Sequence, residues 1–219
     1  MNKIKEMGKS LVHAYRCDVS DKNEVFKVAA KVKKEVGDVS ILINNAGIAP
    51  LRTLLNYDIN EISRVVDVNL MAHYWTMKTF LPNMIERNHG HIVAISSVGA
   101  LYGIPHGTIY SATKIAIRAL MESVSEELRM YSKGKSSVKF TTIVPGIVTT
   151  GLAKNARPRF PWLVGTYSAQ HIASLIIDAQ RRDFKEKSFP SYSLLIFAIL
   201  SRGQRSYGEE VFKSKEYGR

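Results

Sequence analysis

Cysteine is almost missing from this sequence: Cys17 is the only one in 219 residues. No intrachain disulfide can form, and the chain suits a reducing compartment. Cys17 closes an apolar run, residues 11–17, that reads as a buried strand, so an inert core thiol is expected. Long hydrophobic runs are missing too, since nothing approaches the ~20 apolar residues of a membrane span. The nearest approach is residues 192–200, YSLLIFAIL. It reads first as a buried strand or core helix, and second as a contact with a membrane surface. Residues 1–9 are charged and have no apolar centre, which does not read as a signal peptide.

Acidic residues are few, 19 against 31 basic ones, and the net charge is +12. Such an excess favours phosphate partners, either nucleic acid or an anionic membrane. The basic residues are nevertheless scattered over Lys27, Lys31, Lys33 and Lys34, then Lys133 to Lys139, then Arg181 to Lys187. None is interleaved with aromatics as a single-strand groove requires, so they read as solvated faces with no nucleic-acid partner. No metal site is expected. The 45% hydrophobic and 23% charged content is ordinary for a globular protein, and the length suits one domain with a sizeable core.

What is present is an alternation of apolar runs and longer amphipathic segments. Strands are expected at residues 11–17, 39–43, 91–95 and 138–144. Helices are expected at 20–36 with Ser20 as cap, at 59–87 with a break near Pro82, at 108–131 and at 168–181. Continuous apolar strands between helices indicate a doubly wound α/β parallel sheet covered on both faces. Ligands in such sheets bind beyond the carboxyl ends of the strands. The polar punctuation falls there: Asp18, Asn44-Asn45-Ala46-Gly47, Ser96-Ser97 and Pro145-Gly146.

Tyr110 and Lys114 are four apart at the start of a helix, so both project from one face. A tyrosine with a pKa near ~10 is a poor base at neutral pH, and a nearby ammonium lowers that value. Such a pair can take a proton from an alcohol, or return one to an alkoxide. Ser97, thirteen residues before Tyr110, is placed to hydrogen-bond the same oxygen. Asn69 lies inside a helix, where asparagine is a poor former, and serves either a backbone distortion or a water network. Taken singly, each of these has an ordinary reading as a turn, cap or surface residue.

Taken together, Asn44-Asn45-Ala46-Gly47, Asn69, Ser97, Tyr110-x-x-x-Lys114 and Pro145-Gly146 resemble the short-chain dehydrogenase/reductase superfamily in order and spacing. The resemblance implies a Rossmann-like fold and an NAD or NADP cofactor, the type being undetermined. It implies Tyr110 as general acid/base, with Lys114 lowering its pKa and bonding the nicotinamide ribose. Ser97 then orients the substrate oxygen, and Asn69 holds a water of a proton relay. Asp18 and Val19 resemble the pair beside the adenine. Asn44, Asn45, Ala46 and Gly47 resemble the segment that lines the cofactor and steadies the sheet. Val148 and Thr150, after Pro145-Gly146, resemble the pair that fixes the nicotinamide carboxamide.

One family motif is not in the sequence. The glycine-rich turn T-G-x-x-x-G-x-G, with its β-α-β unit of ~30 residues, has no counterpart before Leu11, where Gly8 is the only glycine. That turn lays backbone amides against the pyrophosphate. The expectation is a single domain over 1–219 without the first β-α-β unit, which binds dinucleotide poorly by itself. An incomplete gene model, a truncated isoform and a fragment of a longer chain are the three explanations carried forward.

Residues 151–165 (GLAKNARPRFPWLVG) occupy the place of a substrate lid, and residues 189–219 form a C-terminal tail. Leu152, Phe160, Trp162, Leu163 and Val164, with Tyr102, Ile104 and His106, suit a small lipophilic substrate. Lys154, Arg157 and Arg159 would lie at the lid's rim. The wording is similar to the branch of retinol dehydrogenases and lipid-droplet 17-beta-hydroxysteroid dehydrogenases. That branch implies a retinoid- or steroid-like alcohol, ketone or aldehyde. It also implies a homodimer through residues 59–87 and 108–131, and the endoplasmic reticulum or lipid-droplet surface. With no anchor in the sequence, the cytosol is the other expected location. The second functional reading is a catalytically impaired relative that acts in oligomerisation or at a lipid surface.

Overall fold

The computed structural model describes residues 11–153 and 164–196. Its centre is a parallel sheet in which β1 (Ile41–Asn44) pairs with β2 (His91–Ile95) and β2 with β3 (Lys139–Pro145). The far side of β3 pairs with β6 (Glu186–Phe189). The short strands β4 (Ile147–Val148) and β5 (Thr166–Tyr167) form a separate pair. Helices α1 (Lys22–Glu35), α2 (Ile59–Val66), α3 (Ala72–Glu86), α4 (Thr108–Tyr131) and α5 (Ala169–Arg181) accompany them. This is a Rossmann-like parallel sheet flanked by helices, as the apolar pattern anticipates.

The two central strands are apolar on both sides because both sides are covered. Ile92, Val93, Ala94, Ile143 and Val144 have no exposed surface. On one face Ile92 and Phe140 pack with Met84 of α3 and with Ile117 and Met121 of α4. On the other, Val93 and Ile143 meet Ile172 and Ala179 of α5 and Phe189 of β6. Each such side chain contributes about 1.5–3 kcal/mol on burial. The loops at the carboxyl ends of β2 and β3 therefore leave from a rigid base. Side-chain caps start three of the helices: Asp21 accepts from the Asn23 amide at 2.8 Å, Asp58 from Asn60 at 2.8 Å and Ser168 from His171 at 3.2 Å.

Several expectations are corrected. Residues 11–17 form no strand: they pair with no ladder among the described residues, Leu11 is 91% exposed, and Cys17 is half-buried. The strand expected to be buried at 39–43 is Ile41–Asn44, and it is an edge. Its outer side pairs with nothing among the described residues, which leaves Ile41 and Ile43 47% and 40% exposed. The cap of α1 is Asp21, one residue after Ser20. Pro82 does not break the helix expected at 59–87: it sits inside α3, which continues past it to Glu86. The break is a π-helical turn over Asp67–Met71. In the basic segment 181–187, Arg181, Arg182 and Lys185 are exposed as expected, and Lys187 is half-buried where the segment enters β6. Of residues 192–200, Tyr192 and Leu195 are exposed while Leu194 packs against Val98, Val144 and Val164. That stretch is therefore not wholly buried, and residues 197–200 lie outside the described residues. So do residues 1–10, the lid positions Lys154, Arg157, Arg159, Phe160, Trp162 and Leu163, and the tail from 201 onward.

Candidate active site

Because β1, β2 and β3 run parallel, the loops after Asn44, Ile95 and Pro145 emerge at one edge of the sheet. Helix α4 is docked against that edge by its own first turns. The Ser96 hydroxyl donates to the Lys114 carbonyl at 2.8 Å, and the Lys114 ammonium donates back to the Ile95 carbonyl at 2.8 Å. Ser111 Oγ accepts from the Ile104 amide at 3.2 Å, which ties the loop after Ser97 to the same helix. Tyr110 and Lys114 are thereby set side by side, with Nζ 5.7 Å from the centre of the phenol ring.

The π-turn supplies the third element. Its widened turn turns Asn69 inward, where the residue has no exposed surface. Asn69 Oδ1 accepts from the Ile48 amide at 2.8 Å, and Nδ2 donates to the Ile48 carbonyl at 2.9 Å and to Thr113 Oγ1 at 3.2 Å. Thr113 in turn donates to the Tyr110 carbonyl at 2.8 Å. One asparagine thus binds the loop after β1 and the first turn of α4 to a single point. Both its amide hydrogens go to protein acceptors, so the side chain braces these two elements. The oxygen and Lys114 Nζ both lie close to Gly47, where a Cβ would stand in ordinary contact, 3.5 Å from each.

Burial governs the electrostatics. It pushes Lys114 from 10.5 to about 8, and Lys114 is only 4% exposed. Burial also raises the Tyr110 phenol, while the Ser97 side chain pulls it the other way. Lys114 was expected to lower the tyrosine, but here its ammonium lies over the ring face and bonds Ile95. Ser97 Oγ also accepts from the Gly99 amide at 3.1 Å, which fixes its rotamer.

The remaining expected positions are spread along the same edge. Ala46 and Asn45 are exposed and Gly47 half-buried, directly after β1. Pro145 is buried at the end of β3. Gly146 is required there, because any Cβ would collide with the Val164 carbonyl. Val148 is half-buried in β4 and Thr150 exposed just beyond it. Asp18 stands apart in the turn before α1, next to half-buried Val19, and its carboxylate is occupied by the Ser20 amide and hydroxyl at 3.0 and 2.6 Å.

Sequence reasoning passed over Ser96, Thr113 and His73. The first two act through the backbone and Asn69, which nothing in their local pattern signals. His73, in the first turn of α3, is 2% exposed, and burial together with the Lys114 charge pushes it from 6.5 down to about 4.

The family model described as short chain dehydrogenase matches residues 1–160. The chain belongs to the short chain dehydrogenase family. Within that family it is 42% identical over 175 residues to epidermal retinol dehydrogenase 2 of Mus musculus, covering 80% of this chain and 56% of that protein. It is 40% identical over 181 residues to short-chain dehydrogenase/reductase family 16C member 6 of Bos taurus, covering 81% and 57%. It is 37% identical over 180 residues to 17-beta-hydroxysteroid dehydrogenase 13 of Homo sapiens, covering 82% and 58%. The chain therefore spans little more than half the length of the relatives it matches. A solved metagenomic short-chain oxidoreductase in complex with NADP superposes with a TM-score of 0.60 at 30% identity, covering 66% of this chain and 63% of that one. No helix of the described residues is long and apolar enough to cross a membrane.

Proposed function

We propose that this chain carries the catalytic side of an NAD(P)-dependent oxidoreductase that interconverts a lipophilic alcohol with its ketone or aldehyde. The observation that carries the reading is the Tyr110–Lys114 pair held between Ser97 and the Asn69 brace. The residues suit the nicotinamide-ribose end of a dinucleotide. Lys114 Nζ has donors to spare beyond Ile95, and Gly47 lies beside it. Val148 and Thr150 follow on the same edge and would hold the carboxamide. For the pyrophosphate the sequence has no glycine-rich turn, and Asp18 with Val19 would touch only the adenine.

A bound nicotinamide accepts or supplies the hydride. The protein's part is the proton: Ser97 orients the substrate oxygen, and Tyr110 takes the hydroxyl proton or returns one to the alkoxide. Lys114 stabilises the phenolate once the two charges face each other. The surroundings favour an apolar substrate. Tyr102, on which the Tyr110 charge bears, packs with Leu101 and Ile147 against the buried cluster of Val98, Val144 and Val164. Retinoid- and steroid-like substrates, as the names of the relatives print them, suit such a wall.

In a turnover assay with millimolar cofactor and an apolar alcohol, Tyr110→Phe is expected to lose about 10²–10⁴-fold, the usual worth of a general acid/base. Equal turnover by parent and variant would overturn the reading. Exposed Tyr74, Ile85, Ile115, Met130 and Tyr131 on α3 and α4 support a homodimer through those helices. Exposed Tyr192 and Leu195 beside Arg181, Arg182 and Lys185 support a peripheral contact with an anionic membrane or lipid droplet.

A further inference from the structure

Helix α4 carries a third polar residue in the row begun by Tyr110 and Lys114. Arg118 follows one turn later, at the spacing that keeps all three on one face. Its guanidinium is seated on β6: Nε donates to Glu186 Oε1 at 2.5 Å and Nη2 to Oε2 at 2.9 Å. A two-bond fork of this kind fixes the plane of the guanidinium as well as its place. The remaining arm, Nη1, donates to the Ala100 carbonyl at 3.5 Å. One half-buried arginine therefore joins three segments that are distant in sequence: α4, β6 and the 3-10 turn Val98–Ala100.

That turn is the one that presents Ser97. The Ala100 amide donates to the Ser97 carbonyl at 2.9 Å and the Gly99 amide to Ser97 Oγ at 3.1 Å, so the turn closes on Ser97 twice. Gly99 occupies one lone pair of Oγ and leaves the hydroxyl its own hydrogen to give, and the Ser97 side chain hydrogen-bonds the Tyr110 phenol. No helix follows the turn to take its last carbonyl, and Ala100 is buried, so the Arg118 arm meets a need. The two ends of the loop are pinned to α4 by other bonds, from the Ser96 hydroxyl to the Lys114 carbonyl and from the Ile104 amide to Ser111 Oγ. Arg118 pins the middle. We propose that Arg118, oriented by Glu186, is a positioning residue for Ser97: it seats the Val98–Ala100 turn on α4 and so sets the Ser97 hydroxyl toward Tyr110. Strand β6 is thereby tied to a site to which it gives no reacting group. The proposal rests on the reading of Ser97 and Tyr110 as the groups that handle the substrate oxygen and its proton.

The test uses the full 219-residue chain without cofactor or substrate, labelled with ¹³Cζ-tyrosine. The Tyr110 resonance is assigned by its loss in Tyr110→Phe, and Ser97→Ala calibrates its displacement when the hydrogen bond is removed. Arg118→Met is expected to displace it most of the way in the same direction. It should add nothing on top of Ser97→Ala, because a residue that acts through Ser97 is silent once Ser97 is gone. Arg118→Lys keeps a charge for Glu186 but replaces the fork with one nitrogen. Its thermal midpoint is expected to stay near that of the parent while the Tyr110 resonance moves as in Arg118→Met. A merely structural ion pair gives another pattern: a lower midpoint in Arg118→Met, with the resonance unmoved, or moved equally with and without Ser97. Either result in a folded variant would overturn the proposal. If Arg118→Met does not fold, Arg118→Lys decides by the same resonance. No turnover is involved, so a silent activity assay would count against the oxidoreductase reading and not against this one.

Discussion

At the scale of single residues, the site is held together at a cost to stability. Lys114 is almost fully buried, and its pKa falls from 10.5 to about 8. Each unit is 1.36 kcal/mol, so keeping the charge at neutral pH costs about 3 kcal/mol. The native value lies below the unfolded one. The unfolded chain therefore holds more protons between pH 8 and 10.5, and stability rises with pH through that window. Lys114→Met is expected to abolish turnover yet raise the thermal midpoint at pH 7 by several degrees, and to remove that rise. A lower midpoint in calorimetry would contradict this. His73 has the same sign at lower pH: as pH falls from 6.5 to 4 the unfolded chain gains a proton that the native state refuses. About 3 kcal/mol should be lost across that window, and in His73→Gln urea titrations much of the slope should vanish. Tyr110 and Lys114 were legible because their geometry is local, four residues along one helix. The brace at Asn69 was half legible. A poor helix former marked the spot, but its partners Ile48 and Thr113 lie 21 and 44 residues away. His73 gave no signal at all, since a histidine on an apolar helix face looks the same with or without a role.

At the scale of elements, β2, β3, α4 and α5 were legible because each is long, strongly periodic and covered by the partners its pattern demands. Residues 11–17 carry the same apolar signal and still form no strand, because a strand exists only where an edge receives it. For β6 the case is reversed. Glu-Lys-Ser-Phe reads as surface, yet β3 offers an edge, and the Arg118–Glu186 ion pair, with Nη2–Oε2 at 2.9 Å, ties the strand to α4. The outer side of β1 remains the open edge among the described residues, with Ile41 and Ile43 facing out. Exposed apolar edges template association. Ile43→Lys is expected to reduce concentration-dependent self-association in sedimentation without a large change in midpoint. Unchanged association would place the contact elsewhere.

At the scale of the whole molecule, Asn69, Ser97, Tyr110 and Lys114 come from separate segments and gather at one edge of the sheet. The two ends of the site also depend on one irregular turn. The π-turn at Asp67–Met71 carries one more residue than a regular helical turn would use. The wide turn absorbs that residue locally, so α2 and α3 keep their relative phase. Deleting Leu70 is expected to leave one regular turn in its place, with Val65, Met77 and Met84 still facing the core. What would go is the inward station of Asn69, and with it the knot that ties the loop after β1 to α4.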